Sequence, residues 1–158
     1  MSDNLKKQIE PITERYPNKR SAIMPALYLA QQKYKYLSGE VLKEVADILD
    51  VPEIWVFELA SFYTMFHTEP IGKFHIQVCT NISCLVRQAE NLLEAIEKHL
   101  EIGSGETTRD GLFTISKVEC IGACDKAPAL MINQDYYENM DVQRVEDLLV
   151  ELAKTEEH

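Results

Sequence analysis

The sequence predicts an α+β chain in two parts: a helical bundle over residues 1–72, then a β-α-β-β-α domain over residues 73–158. Three observations predict it. Apolar residues recur at helical spacing through the first 72 residues, which contain no cysteine. From residue 73 onward, stretches at 74–78 and 112–119 shift to the two-residue period of strands. All four cysteines fall in this second part, in two close pairs.

In the first part, Leu5, Ile9 and Ile12 mark a first helix, with Pro11 expected to kink it or stop it early. A second stripe runs through Ile23, Leu27, Ala30, Tyr34 and Leu37, with Gly39 expected to end it. Val41, Leu42, Val45, Ile48 and Leu49 make a third. Pro52 suits the first turn of a fourth, which carries Trp55, Leu59, Phe62, Tyr63 and Phe66. Roughly 70 residues of short helices can bury only a limited core. The fourth helix is also unusually aromatic, so part of its surface is expected to dock on a partner. The join at Glu69-Pro70-Ile71-Gly72 is short, which implies that the two halves touch.

The second part opens with Lys73 to Cys79, where Phe74, Ile76 and Val78 alternate with polar residues. That is a half-buried strand ending on a cysteine, and His75 among its alternate positions is expected to face solvent. After Thr80-Asn81-Ile82-Ser83, a long amphipathic segment carries Leu85, Ala89, Leu92, Ile96 and Leu100. Cys84 then sits near a helix N-terminus, where backbone N–H groups favour a thiolate. Gly103-Ser104-Gly105 lacks the third glycine of a dinucleotide fingerprint and reads as a flexible loop. An Asp110-Gly111 turn leads into a strand ending at Glu119. The loop Cys120-Ile121-Gly122-Ala123-Cys124 follows, and Gly122 permits a left-handed backbone that brings N–H groups to the sulfurs. Ala129 to Asn133 is a strand, with a turn at Gln134-Asp135. A final helix with Val142, Val145, Leu148, Leu149 and Leu152 is capped by Asp141.

The cysteines carry the chemistry. They read Cys79-x4-Cys84 and, after 35 intervening residues, Cys120-x3-Cys124, with none left over. Two short loops, each giving two soft ligands, are what a tetrahedral thiolate metal centre requires. Close pairing of all four argues against simple buried hydrophobes. The chain start, Met1-Ser2-Asp3-Asn4-Leu5-Lys6-Lys7, has no apolar signal core, so a reducing cytosol is expected and disulfides are disfavoured. A thiol–disulfide enzyme more usually shows Cys-x-x-Cys, which is absent. Spacing alone leaves a four-cysteine zinc site, a [2Fe–2S] cluster and a [4Fe–4S] cluster open.

The residues around the cysteines extend the pattern. Val78-Cys79-Thr80 with Cys84, then Val118-Glu119-Cys120-Ile121-Gly122-Ala123-Cys124-Asp125-Lys126-Ala127-Pro128, resembles the thioredoxin-like [2Fe–2S] ferredoxin family. Within it the chain is similar to the small iron–sulfur subunits of bacterial NADH–quinone oxidoreductase, respiratory complex I. Tyr16-Pro17, the stretch from Arg20 to Leu27 and the stretch from Phe62 to Phe66 share that likeness. The resemblance implies a thioredoxin-like second domain and one [2Fe–2S] cluster on Cys79, Cys84, Cys120 and Cys124. It implies a partner subunit that binds FMN and NADH, and a role in which this chain takes one electron from reduced FMN. It also implies a larger respiratory complex and a cytoplasmic position, peripheral to the inner membrane through that complex. Diaphorase subunits of NAD-linked hydrogenases and formate dehydrogenases share a similar module.

Other function classes are disfavoured. Residues 40–66 imitate a helix-turn-helix, yet hold one Lys against six acids, so phosphates would be repelled. The net charge of −10 argues against nucleic acid and anionic membrane surfaces. No apolar run approaches the ~20 residues that span a bilayer. With no P-loop and no dinucleotide fingerprint, the chain alone is expected not to oxidise NADH; it serves as one component of an oxidoreductase.

Overall fold

The computed structural model describes residues 3–155, and the chain divides into two compact units at Pro70/Ile71. In the first unit, α1 (Asp3–Thr13), α2 (Ile23–Tyr34), α3 (Gly39–Leu49) and α4 (Glu53–Phe62) bury one apolar core. Leu5 and Ile9 of α1 meet Ile23 and Leu27 of α2 and Val45 and Leu49 of α3, with exposures of 2% or less. Pro11 does not stop α1, which continues to Thr13. The proline removes one bond of the ladder, the one to the Lys7 carbonyl, and the helix runs on for two residues.

Gly39 does not end α2. Lys35 does, at φ +73, and Gly39 becomes the first residue of α3 behind its cap Ser38. Leu37 lies in the connection and is still fully buried. Pro52 stands just ahead of α4 as its cap residue, and Tyr63 and Phe66 fall beyond the helix end. The chain after α4 folds back because Gln31 satisfies its backbone. The Gln31 amide donates to the Met65 carbonyl (2.8 Å) and accepts from the His67 N–H (2.7 Å). That clamp seats Phe66 in the core, edge-on to Tyr28 with ring centres 5.1 Å apart.

The second unit is a four-stranded sheet with strand order β2-β1-β3-β4, made of β1 (Phe74–Cys79), β2 (Phe113–Val118), β3 (Leu130–Ile132) and β4 (Asp135–Tyr137). β1 and β2 are parallel, with Phe74 opposite Phe113 and Cys79 opposite Val118. β3 runs antiparallel to β1, and β4 antiparallel to β3. The short strand β4 adds to the expected β-α-β-β-α order. Its turn falls at Asn133-Gln134 rather than one residue later, because Asn133 takes the left-handed conformation (φ +57) that asparagine tolerates. Ile76, Val78, Phe113, Ile115, Leu130 and Ile132 form the core with residues of α6 (Ala89–Leu100) and α7 (Val142–Lys154). Asp141 caps α7 as expected, accepting the Arg144 N–H at 2.8 Å.

The long segment after Cys79 is two helices, α5 (Ile82–Val86) and α6, broken where Gln88 adopts φ +67. The reason is angular. In one continuous helix Cys84 would point about 140° from Ala89, away from the stripe of Leu92, Leu93 and Ile96. The break lets Cys84 and that stripe both be buried.

The loop at 103–105 is not free either. Gly105 N–H donates to the Ile115 carbonyl (2.7 Å), and Lys117 N–H to Ser104 Oγ (3.1 Å), so the segment is pinned to β2. Among the described residues, no helix is long and apolar enough to cross a membrane.

Candidate metal centre

A parallel pair brings the C-terminal ends of both strands to the same end of the sheet. β1 ends on Cys79 and β2 ends two residues before Cys120. The loops carrying both cysteine pairs therefore start side by side, although their cysteines are separated by 35 residues in sequence. Thr80 N–H donates to the Val118 carbonyl at 3.0 Å and closes the ladder at the base of the two loops.

Cys79 and Cys84 are each 2% exposed and pack with Ala89, Ala127 and Ile121. Asn81 caps α5 through its side chain, accepting the Ile82 N–H at 2.9 Å, so Cys84 lies in the helix's first turn as expected. Cys120 and Cys124 are exposed. Cys124 opens a short 3-10 turn, Cys124–Lys126, that packs against α5.

Burial pushes the Cys84 thiol above its ordinary pKa, and the Ala129 backbone pulls it partly back. Neighbouring Cys79 and Cys124 push it up further. A bound cation reverses that sign, since it deprotonates a coordinating thiol.

Among the described residues, no three potential ligands stand close enough to enclose a metal ion. The structure thus sets the two cysteine loops side by side without closing a cage. The donor set nonetheless fits an iron–sulfur centre: four soft sulfurs on adjoining loops, with a backbone N–H already directed at one of them. That N–H belongs to Gly122 and lies 3.3 Å from Cys120 Sγ. Gly122 has φ +79, and a Cβ there would meet nothing within 4 Å, so only the backbone conformation excludes other residues. Gly122→Val is expected to destabilise the loop by about 1–3 kcal/mol through that strain. It should also make cluster loss to a chelator faster, with far-ultraviolet circular dichroism unchanged.

His75 corrects an expectation. It is 5% exposed, with Nε2 2.8 Å from Ser116 Oγ, and the His75 backbone N–H donates to Asn133 Oδ1 at 2.9 Å. β1 is an inner strand, so side chains from the strands on either side flank His75 on its own face of the sheet. His75 sits about 13 Å from Cys79 along the strand. One residue near the loop carried no signal in the sequence. Tyr136 of β4 donates its hydroxyl to the Ile121 carbonyl at 2.9 Å, across 15 residues.

A family model for the thioredoxin-like [2Fe–2S] ferredoxins matches residues 9–153. The chain belongs to that family. Its cofactor is a [2Fe–2S] cluster, which decides among the metals that spacing left open. Among curated relatives of this ferredoxin, the E 2 subunit of the NADH-quinone oxidoreductase of Rhizobium meliloti (strain 1021) is 53% identical over 145 residues, covering 92% of this chain and 86% of the relative. The E subunit of the NADH-quinone oxidoreductase of Rickettsia prowazekii (strain Madrid E) is 46% identical over 143 residues, covering 89% and 81%. Among solved structures, an NAD+-reducing [NiFe]-hydrogenase in the air-oxidized state matches with a TM-score of 0.73 at 23% identity. The match covers 82% of this chain and 23% of the hydrogenase chain, and at that identity it shows the shared fold.

Proposed function

We propose that this chain is the small electron-transfer component, of the E type, in an NADH-quinone oxidoreductase, holding one [2Fe–2S] cluster on Cys79, Cys84, Cys120 and Cys124. One observation carries the reading. The loops carrying both thiol pairs start side by side at one end of β1 and β2, in a chain similar to such subunits over 92% of its length. The hydrogenase-type alternative has only a likeness of fold behind it. The family match favours iron–sulfur over a four-cysteine zinc module.

When bound, the cluster supplies one-electron redox chemistry in which no substrate bond is broken. The chain's own residues do the rest. Burial of Cys79 and Cys84 excludes water from one side of the site, while the exposed loop of Cys120 and Cys124 leaves the other open to a partner. Gly122 N–H stabilises negative charge on the Cys120 sulfur. The partner is an FMN- and NADH-binding flavoprotein subunit, and this chain's role is to take one electron from its reduced FMN. The assembly is a larger respiratory complex, with this chain on the cytoplasmic side, peripheral to the inner membrane. Residues 1–72 supply docking surface: α4 leaves Ile54, Phe57 and Phe62 between 50% and 77% exposed, an apolar face of the kind that interfaces bury.

The purified chain should be reddish-brown with about two irons per chain. Under anaerobic conditions NADH should leave its spectrum unchanged, and NADH plus the flavoprotein should reduce it. Oxidation of NADH by the isolated chain would overturn the relay role; a colourless chain with one zinc would overturn the cluster. Phe62→Asp should weaken flavoprotein binding roughly tenfold or more, since interface aromatics carry much of the affinity. Unchanged affinity would remove docking from this face of α4.

A further inference from the structure

The peptide group between Ile121 and Gly122 is held at both ends. Its carbonyl accepts the Tyr136 hydroxyl at 2.9 Å, and its N–H points at Cys120 Sγ at 3.3 Å. We propose that Tyr136 is a positioning residue that locks this peptide in the orientation directing its N–H at the Cys120 sulfur, and so sets the electron affinity of the bound cluster. The inference rests on the reading of Cys120 as a ligand.

The lock is needed because the peptide is poised to rotate. A glycine follows it, at φ +79, with nothing within 4 Å of where a Cβ would be, so sterics impose no preference. Rotation about the flanking bonds would turn the carbonyl toward the sulfur and the N–H away. A carbonyl dipole facing a thiolate repels the charge that an N–H stabilises. The Tyr136 hydroxyl opposes that rotation by giving the carbonyl a partner on the other side. Two hydrogen bonds sharing one peptide also polarise each other, so O–H···O=C strengthens N–H···S.

Tyr136 is itself held by the hairpin. It faces Met131 in the β3–β4 register, and beyond β4 the Lys126–Glu138 ion pair (2.9 Å) ties the same segment to the cysteine loop. Asn139 N–H to the Lys126 carbonyl (2.8 Å) and Met140 N–H to the Pro128 carbonyl (2.9 Å) add two backbone ties. The hydroxyl therefore arrives from a fixed frame. Acting through the peptide rather than on the sulfur, Tyr136 is the kind of outer residue that tunes a metal centre.

Tyr136→Phe removes only the oxygen and tests this in the full chain. The variant should bind the same iron as the parent and melt at the same temperature. Its midpoint potential should be lower, because a lost N–H···S bond disfavours the added electron. Cluster loss to a chelator, and hydrogen exchange at the Gly122 amide, should each be about two- to twelve-fold faster, as expected for one hydrogen bond. Unchanged potential, loss rate and exchange would overturn the proposal. So would a lower melting temperature with unchanged potential, which marks a purely structural bond. Cys120→Ala separates the underlying assumption: if that variant kept the parent spectrum, the ligand reading would fail and the tuning role with it. Gly122 exchange in the metal-free chain would still report directly on the lock.

Discussion

Cys84→Ala should yield a colourless chain, and so should Cys120→Ala, but only the first should also weaken the metal-free fold. On the proposed ligation each removes one of four anionic ligands, so both should fall from about two irons per chain to near none, read by visible absorbance and iron analysis. Their packing roles differ. Cys84 is 2% exposed beside Cys79, Ala89 and Ala127, and losing its sulfur opens a small cavity worth about 1 kcal/mol. Cys120 is exposed, and its loss should change metal-free stability by less than about 0.5 kcal/mol. Denaturant melts of the metal-free chains therefore divide ligation from packing. Serine at either position should retain a weakened centre with a shifted potential, through an oxygen ligand. A wild-type spectrum from any of the four alanine variants would refute the four-ligand assignment.

Gly72→Ala should be among the most destabilising single changes, whereas the same substitution at Gly39 should stabilise. A Cβ at Gly72 would stand 2.8 Å from the Phe113 carbonyl carbon and 2.9 Å from the Leu112 oxygen. Both are backbone atoms and cannot swing aside. Gly72 also donates its N–H to Thr114 Oγ1 at 2.6 Å, and the next two residues bond to the Gly111 and Leu112 carbonyls. Making room means prying the start of β1 from β2, at a cost of about 3 kcal/mol or more. Because that pair also aligns the cysteine loops at its far end, iron occupancy should fall as well. At Gly39, in the first turn of α3, a Cβ meets nothing within 4 Å, and the change should add roughly 0.5–1 kcal/mol. Urea midpoints for the two variants, moving in opposite directions, check both. Equal and small shifts would mean that the close approach at Gly72 is relieved without strain.

The sequence by itself determined the two-part α+β order, the apolar faces of α1 to α4, the cap at Asp141 and the four cysteines. Those are local properties: a period, a capping side chain, a spacing between thiols. It also determined that a metal was involved, since cysteine spacing restricts donor chemistry, and the motif around the pairs resembled a [2Fe–2S] family that the chain proved to belong to. What it did not carry depends on partners distant in the chain. His75 reads as an outward strand position, and only flanking strands on both sides bury it. Gly39 reads as a helix stop until Ser38 caps α3 ahead of it and Lys35 ends α2. The amphipathic run after Cys84 reads as one helix until burial of both Cys84 and the α6 stripe forces the break at Gln88. The Tyr136 hydroxyl gains its meaning from a carbonyl 15 residues away, brought to it by a hairpin whose second strand is three residues long. Tertiary structure decided these because each is a balance between a local preference of about 1 kcal/mol and the larger cost of leaving a buried polar group unpaired or an apolar face wet.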